Sequence, residues 1–128
     1  MHLVILTPPE ETELSRSLLE LVKASFPQVH LHTHHSPGEL ATALRLPMGR
    51  RTMALLLVHD RQTMEQVLAA RAALNDMDIL LVLPDGSPET LARGHLLRPR
   101  FLTTLDEEPA VVREVLKAQL YRGLAAIR

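Results

Sequence analysis

Met53-Ala54-Leu55-Leu56-Leu57-Val58 runs directly into His59-Asp60. Six apolar residues in succession, with no period-two alternation, do not suit a strand with one wet face. They suit a strand buried on both faces, in the middle of a parallel sheet covered by helices. His59 and Asp60 then stand where that strand leaves the sheet, on the carboxyl edge where open α/β sheets hold their ligands.

Upstream, Leu3–Leu6 is a shorter apolar run that ends at Thr7-Pro8-Pro9-Glu10. This text predicts a helix start, with Thr7 as N-cap, Pro8 at the first helical position and Glu10 completing a capping box. Leu14, Leu18, Leu21, Val22 and Ser25 share one face of that helix, and Pro27 closes it. Val29–His34 alternates, with His30, His32 and His34 opposite Val29, Leu31 and Thr33, which predicts a less covered edge strand. Ser36-Pro37-Gly38-Glu39 predicts a second capped helix, carrying Leu40, Ala43 and Leu44 on one face and broken by Pro47-Met48-Gly49-Arg50-Arg51.

Downstream of Asp60 a helix is expected over 62–74, with Met64, Val67, Leu68 and Leu74 as its apolar side. Ala69, Ala70, Ala72 and Ala73 are expected to let it lie close to the sheet. Ile79–Leu83 is a second unbroken apolar run, hence another interior strand. Pro84-Asp85-Gly86-Ser87-Pro88 is a loop that opens a short helix over 89–97. Phe101–Leu105, with its threonines, is a rim strand. Asp106-Glu107-Glu108-Pro109 sets acids at the start of the last helix, whose buried stripe is expected at Val111/Val112, Val115/Leu116 and Gln119/Leu120, with Gly123–Arg128 as its end or a frayed tail.

Strand and helix thus alternate five times through short connections, which demands an α/β, doubly wound (βα)5 parallel sheet as one domain over residues 1–128. Strand orders 2-1-3-4-5 and 3-2-1-4-5 both satisfy that pattern. The wet strand at 29–34 and the dry one at 53–58 favour the flavodoxin-like order 2-1-3-4-5.

Composition narrows the function classes. With 14 basic and 15 acidic residues the net charge is −1, so no basic excess exists to hold a phosphate backbone. Phe26, Phe101 and Tyr121 are the whole aromatic complement, too few for base stacking. Nucleic acid is therefore not an expected partner. The chain has no cysteine, which removes disulfides, thiolate metal sites and cysteine nucleophiles and agrees with a reducing cytoplasm. No apolar run reaches membrane-spanning length, and the first residues read as a strand rather than a signal peptide, so a cytoplasmic protein is expected. The five glycines form neither a dinucleotide fingerprint nor a P-loop. A flavin site would want a Ser/Thr/Gly-rich first loop and stacking aromatics, which Thr7-Pro8-Pro9-Glu10 does not offer.

Length and pattern together resemble the receiver domain of two-component response regulators. Leu3–Pro9 and the helix after it look like that family's opening strand and first helix. Ala54-Leu55-Leu56-Leu57-Val58-His59 lies where the family reads Asp, four apolar residues, Asp. Phe101-Leu102-Thr103-Thr104-Leu105-Asp106 lies where it reads Tyr-Leu-x-Lys-Pro-Phe. The resemblance implies a (βα)5 fold, a signalling role, and partner or second-protomer docking on the face of the fourth helix, fifth strand and fifth helix. Arg93, His95, Arg98 and Arg100 fall in that region.

The residues that carry the family's chemistry are replaced. Leu6-Thr7-Pro8 stands where two magnesium-binding acids are needed. His59 takes the place of the phospho-accepting aspartate, with Asp60 one residue late. Leu83 or Pro84 replaces the reporting Ser/Thr, and Thr103 or Thr104 replaces the lysine that balances an acyl phosphate. The resemblance is thus to a pseudo-receiver that is not an enzyme and needs no cofactor.

Two other sites compete. His30-x-His32-x-His34-His35 puts alternate imidazoles on one strand face, a pattern that can hold zinc or nickel. Its plainer readings are the polar face of an edge strand, or a pH-sensitive surface. Asp60, Asp85 and Glu10/Glu11 leave strand ends and could form a loose carboxylate cluster for Mg²⁺. The plainer reading is that Asp60 caps a helix and Asp85 forms a turn.

Overall fold

The structure is a computed structural model describing residues 2–10, 12–44 and 52–125. Its order is β1 (His2–Leu6), α1 (Glu13–Ser25), β2 (His30–His34), α2 (Pro37–Leu44), β3 (Thr52–Leu57), α3 (Arg61–Ala69), a 3₁₀ turn (Arg71–Leu74), β4 (Asp78–Leu83), α4 (Pro88–His95), β5 (Phe101–Thr104) and α5 (Pro109–Ala125). The strands form one parallel sheet in the order β2-β1-β3-β4-β5, the flavodoxin-like α/β arrangement.

The unbroken apolar strands are central because both of their faces are covered. Leu55, Leu57, Leu80 and Val82 pack with Leu3 and Ile5 under α1 and α5. Leu56, Val58, Leu81 and Leu83 pack with Val4 and Leu6 under α2, α3 and the end of α4. Met53–Val58 is buried throughout. β2 and β5 are the edges, and neither contains a buried residue. Among the described residues no helix is long and apolar enough to cross a membrane.

Local starts and stops differ from the sequence expectation at several points. The first helix begins at Glu13, not at Pro8, because Thr12 and Ser15 form the capping box instead of Thr7 and Glu10. Ser15 N–H donates to Thr12 Oγ1 at 3.1 Å, while Thr12 N–H donates to Ser15 Oγ at 3.1 Å. A serine at the third helical position closes the box as well as a glutamate does. Thr7 remains in the strand direction, its N–H donating to the His34 carbonyl at 2.9 Å.

The helix after Asp60 ends at Ala69 and continues as a 3₁₀ turn rather than running to Leu74. Its alanines do not press on the sheet: Ala69, Ala72 and Ala73 are exposed, and with Pro37 and Ala41 they line a shallow hollow between α2 and α3. In α5 the buried stripe is Val112, Leu116, Leu120 and Leu124, while Val111 is 45% exposed. The acids Asp106–Glu108 precede α5 instead of occupying its first turn. The expected break at Pro47–Arg51, and the tail beyond Ala125, lie outside the described residues, as does Glu11.

Candidate functional site

The carboxyl edge of the sheet gathers the loops after β1, β3, β4 and β5, and its aspartates are held by their own backbone. Asp60 is the N-cap of α3, with Thr63 N–H donating to its Oδ1 at 2.7 Å. That bond, assisted by the Thr63 side chain, lowers the Asp60 pKa. The imidazole Nε2 of His59 stands 3.2 Å from Asp60 Oδ2, with both side chains substantially exposed. Asp85 accepts from Ser87 N–H at 2.9 Å, an Asx turn that lowers its pKa. Asp106 accepts from the Thr104 hydroxyl and, at 2.9 Å, from Gly86 N–H, and these two bonds lower its pKa. Asp106 thereby stitches the loop after β4 to the end of β5.

Each of these bonds fixes a carboxylate's direction while leaving lone pairs on it unused. Among the described residues no three His, Asp or Glu side chains gather closely enough to hold a metal. Asp60, Asp85 and Glu10, expected as a loose cluster, are therefore distributed over separate loops. Mg²⁺ asks for a near-octahedral set of oxygens, and this donor set does not fit it. Thr7 is buried with its hydroxyl unpartnered, followed by half-buried Pro8. Thr103 and Thr104 are half-buried on β5.

Beside these loops, between the carboxyl ends of β1 and β3 and the starts of α1 and α5, lies a cavity of about 250 Å³. Leu14, Leu57, Leu105, Pro109 and Val112 supply its apolar wall, with Thr12, His59 and Glu107 as the polar lining. The sequence reading missed it, because its wall comes from three separate stretches of the chain. The signal present in the text was apolar residues at loop positions, such as Leu105, where polar ones are usual.

On the β2 edge the histidines regroup. Parallel register sets His2 beside His30 and Val4 beside His32. The His2 ring stacks on His30 at 5.0 Å, and its Nδ1 lies 2.9 Å from His32 Nε2. Burial, then the His32 and His30 charges, lower the His2 pKa. His34 is separate, with Nε2 buried and unpartnered, and burial lowers its pKa against the pull of Glu39. His35 instead lies by the loop after β1, Nδ1 3.3 Å from the Pro8 carbonyl. The partner that sequence pattern could not supply is His2, which sits on another strand.

The cations of the fourth and fifth βα units are also placed. Arg93 forms a two-pronged ion pair with Glu65 of α3, so it faces α3. Arg100 pairs with Asp78 at 3.4 Å. Arg98 turns the chain after α4 with φ 51°, and His95 is exposed in the last turn of α4. Leu96, Leu105, Val111 and Tyr121, the exposed large apolar side chains of the described residues, all belong to the α4–β5–α5 part of the chain. No protein-family model and no curated protein matches this chain.

Proposed function

We propose that the chain is a non-enzymatic signalling module, a receiver-like domain of the two-component type in which protein contact takes the place of aspartyl phosphorylation. The observation that carries this reading is the engagement of Asp60 and Asp85 by N–H groups of their own loops and of Asp106 by the Gly86 N–H of the neighbouring loop, with no three His, Asp or Glu side chains of the described residues gathered closely enough to hold a cation. A phosphoryl switch needs carboxylates free for a cation and a positive side chain for the acyl phosphate. Here Thr103 and Thr104 stand where the resemblance expects lysine, and the Thr104 hydroxyl donates to Asp106.

The exposed apolar side chains Leu96, Leu105 and Val111, all in the α4–β5–α5 part of the chain, support docking of a protein partner or a second protomer there. The balance of 14 basic and 15 acidic residues argues for protein over nucleic acid as partner, and the lack of cysteine suits the cytoplasm. The test is site-specific photocrosslinking in the native host, with a benzophenone side chain at Leu105 or Val111 and a control at Gln62 on α3. Discrete adducts from the first two positions and none from the control support the reading. No adducts, or the same adducts from all three, contradict it.

A further inference from the structure

We propose that the cavity at the β1/β3 carboxyl edge is a binding site for a small ligand about one ring in size, apolar in body and carrying one hydroxyl. Three observations carry this beyond a contact-only module.

The first is place. In the order β2-β1-β3-β4-β5, the chain leaves β1 toward β2 on one side, while β3 lies on the other. The crevice at such a reversal, outside the carboxyl ends of the strands, is where open α/β sheets take ligands. Pro8 follows β1 and Leu57 closes β3, and both line the cavity.

The second is size. The volume is about 250 Å³. A cavity of roughly 150 Å³ accepts benzene when its wall is apolar, so this one admits a ring with one or two substituents. It is too small for a nucleotide or a flavin.

The third is lining. Leu14, Leu57, Leu105 and Val112 reward an apolar body. The cavity's polar positions are Thr12, whose hydroxyl is already engaged in the α1 cap, Glu107 and His59, and of these His59 lies beside the end of β3. Its Nε2 faces Asp60 at 3.2 Å, and with the Nε2 hydrogen given to that carboxylate, Nδ1 is an acceptor for a hydroxyl.

The test is an amide NMR titration of the whole chain with phenol and, separately, benzene. Saturable shifts centred on Leu14, Leu57, His59, Leu105 and Val112 are expected from both probes. His59→Phe should weaken phenol by roughly tenfold, the loss of one hydrogen bond, and leave benzene within about twofold. Leu14→Trp, which fills the space from a half-buried position, should abolish both sets of shifts while the thermal transition is retained. The absence of saturable shifts from both probes would overturn the site. So would shifts scattered over the surface, or shifts that persist in a folded Leu14→Trp protein. Equal losses of phenol and benzene in a folded His59→Phe protein would overturn the hydroxyl requirement.

Discussion

Nδ1 of His2 stands 2.9 Å from Nε2 of His32, joining β1 to the edge strand β2 through two imidazoles. One ring must donate and the other accept, so at least one of the two is neutral while the bond is made. The His2 pKa lies below its ordinary value of 6.5, through burial and the neighbouring His32 and His30, and burial lowers that of His34 too. The unfolded chain therefore takes up these protons first as pH falls. Stability should be full above pH about 6.5 and should decline as pH drops through the lowered native values. Thermal unfolding between pH 5 and 8 measures this, and the decline should be shallower in His32→Gln. A transition temperature that is flat, or that rises toward pH 5, contradicts it.

Asp60 acts as a cap. Asp60→Ala leaves Thr63 N–H without its acceptor and should cost about 1 kcal/mol, whereas Asp60→Asn should retain most of the stability. Because the native pKa of Asp60 is depressed, this contribution is present above the ordinary carboxylate value and is lost as pH falls through the lowered one. Urea denaturation of the two variants at neutral pH separates capping from a purely electrostatic role.

Asp106 holds two loops together. In Asp106→Ala the Gly86 amide loses its acceptor and Thr104 loses its carboxylate partner. Hydrogen exchange at Gly86 should accelerate, while amides of β3 keep their protection. Unchanged exchange at Gly86 would show that the loop after β4 is held by something else.

Gly94 marks the closest approach of α4 to the sheet. A Cβ there would lie 2.8 Å from Leu83 Cδ1, 3.2 Å from Leu81 Cδ2 and 3.3 Å from Leu102 Cδ1. Gly94→Ala gains about 1 kcal/mol of helix propensity, yet crowding three core leucines costs about 1–3 kcal/mol. Net destabilisation is expected in denaturant unfolding, and a net gain would show that α4 lifts from the sheet without cost.

The sheet was legible in the text because its signal is collective. Met53–Val58 and Ile79–Leu83 have no polar face, and the alternating His30–His34 has one, so centre and edge follow from burial alone. The helix starts were legible where serine directly precedes proline, as at Ser36-Pro37 and Ser87-Pro88, since both features favour the same position. Thr7-Pro8 carries the same signature without starting a helix, because Thr12 and Ser15 close a box nearer the helix. The site was less legible. Asp60 and Asp85 could be read as a cap and a turn from local spacing, since each bonds within three residues, whereas the Asp106–Gly86 bond joins two loops and could not. The His2–His32 pair and the apolar cavity depend on which segments meet, and a pattern along one strand or helix does not encode that.

The central claim is that the carboxyl edge lacks a phosphoryl and magnesium site, and one titration addresses it most directly. Beryllofluoride with Mg²⁺, added to the isotope-labelled chain, should leave the amides of His59, Asp60, Asp85 and Thr104 unmoved up to millimolar concentrations. Saturable, Mg²⁺-dependent shifts at those four residues, absent in Asp60→Asn, would contradict it.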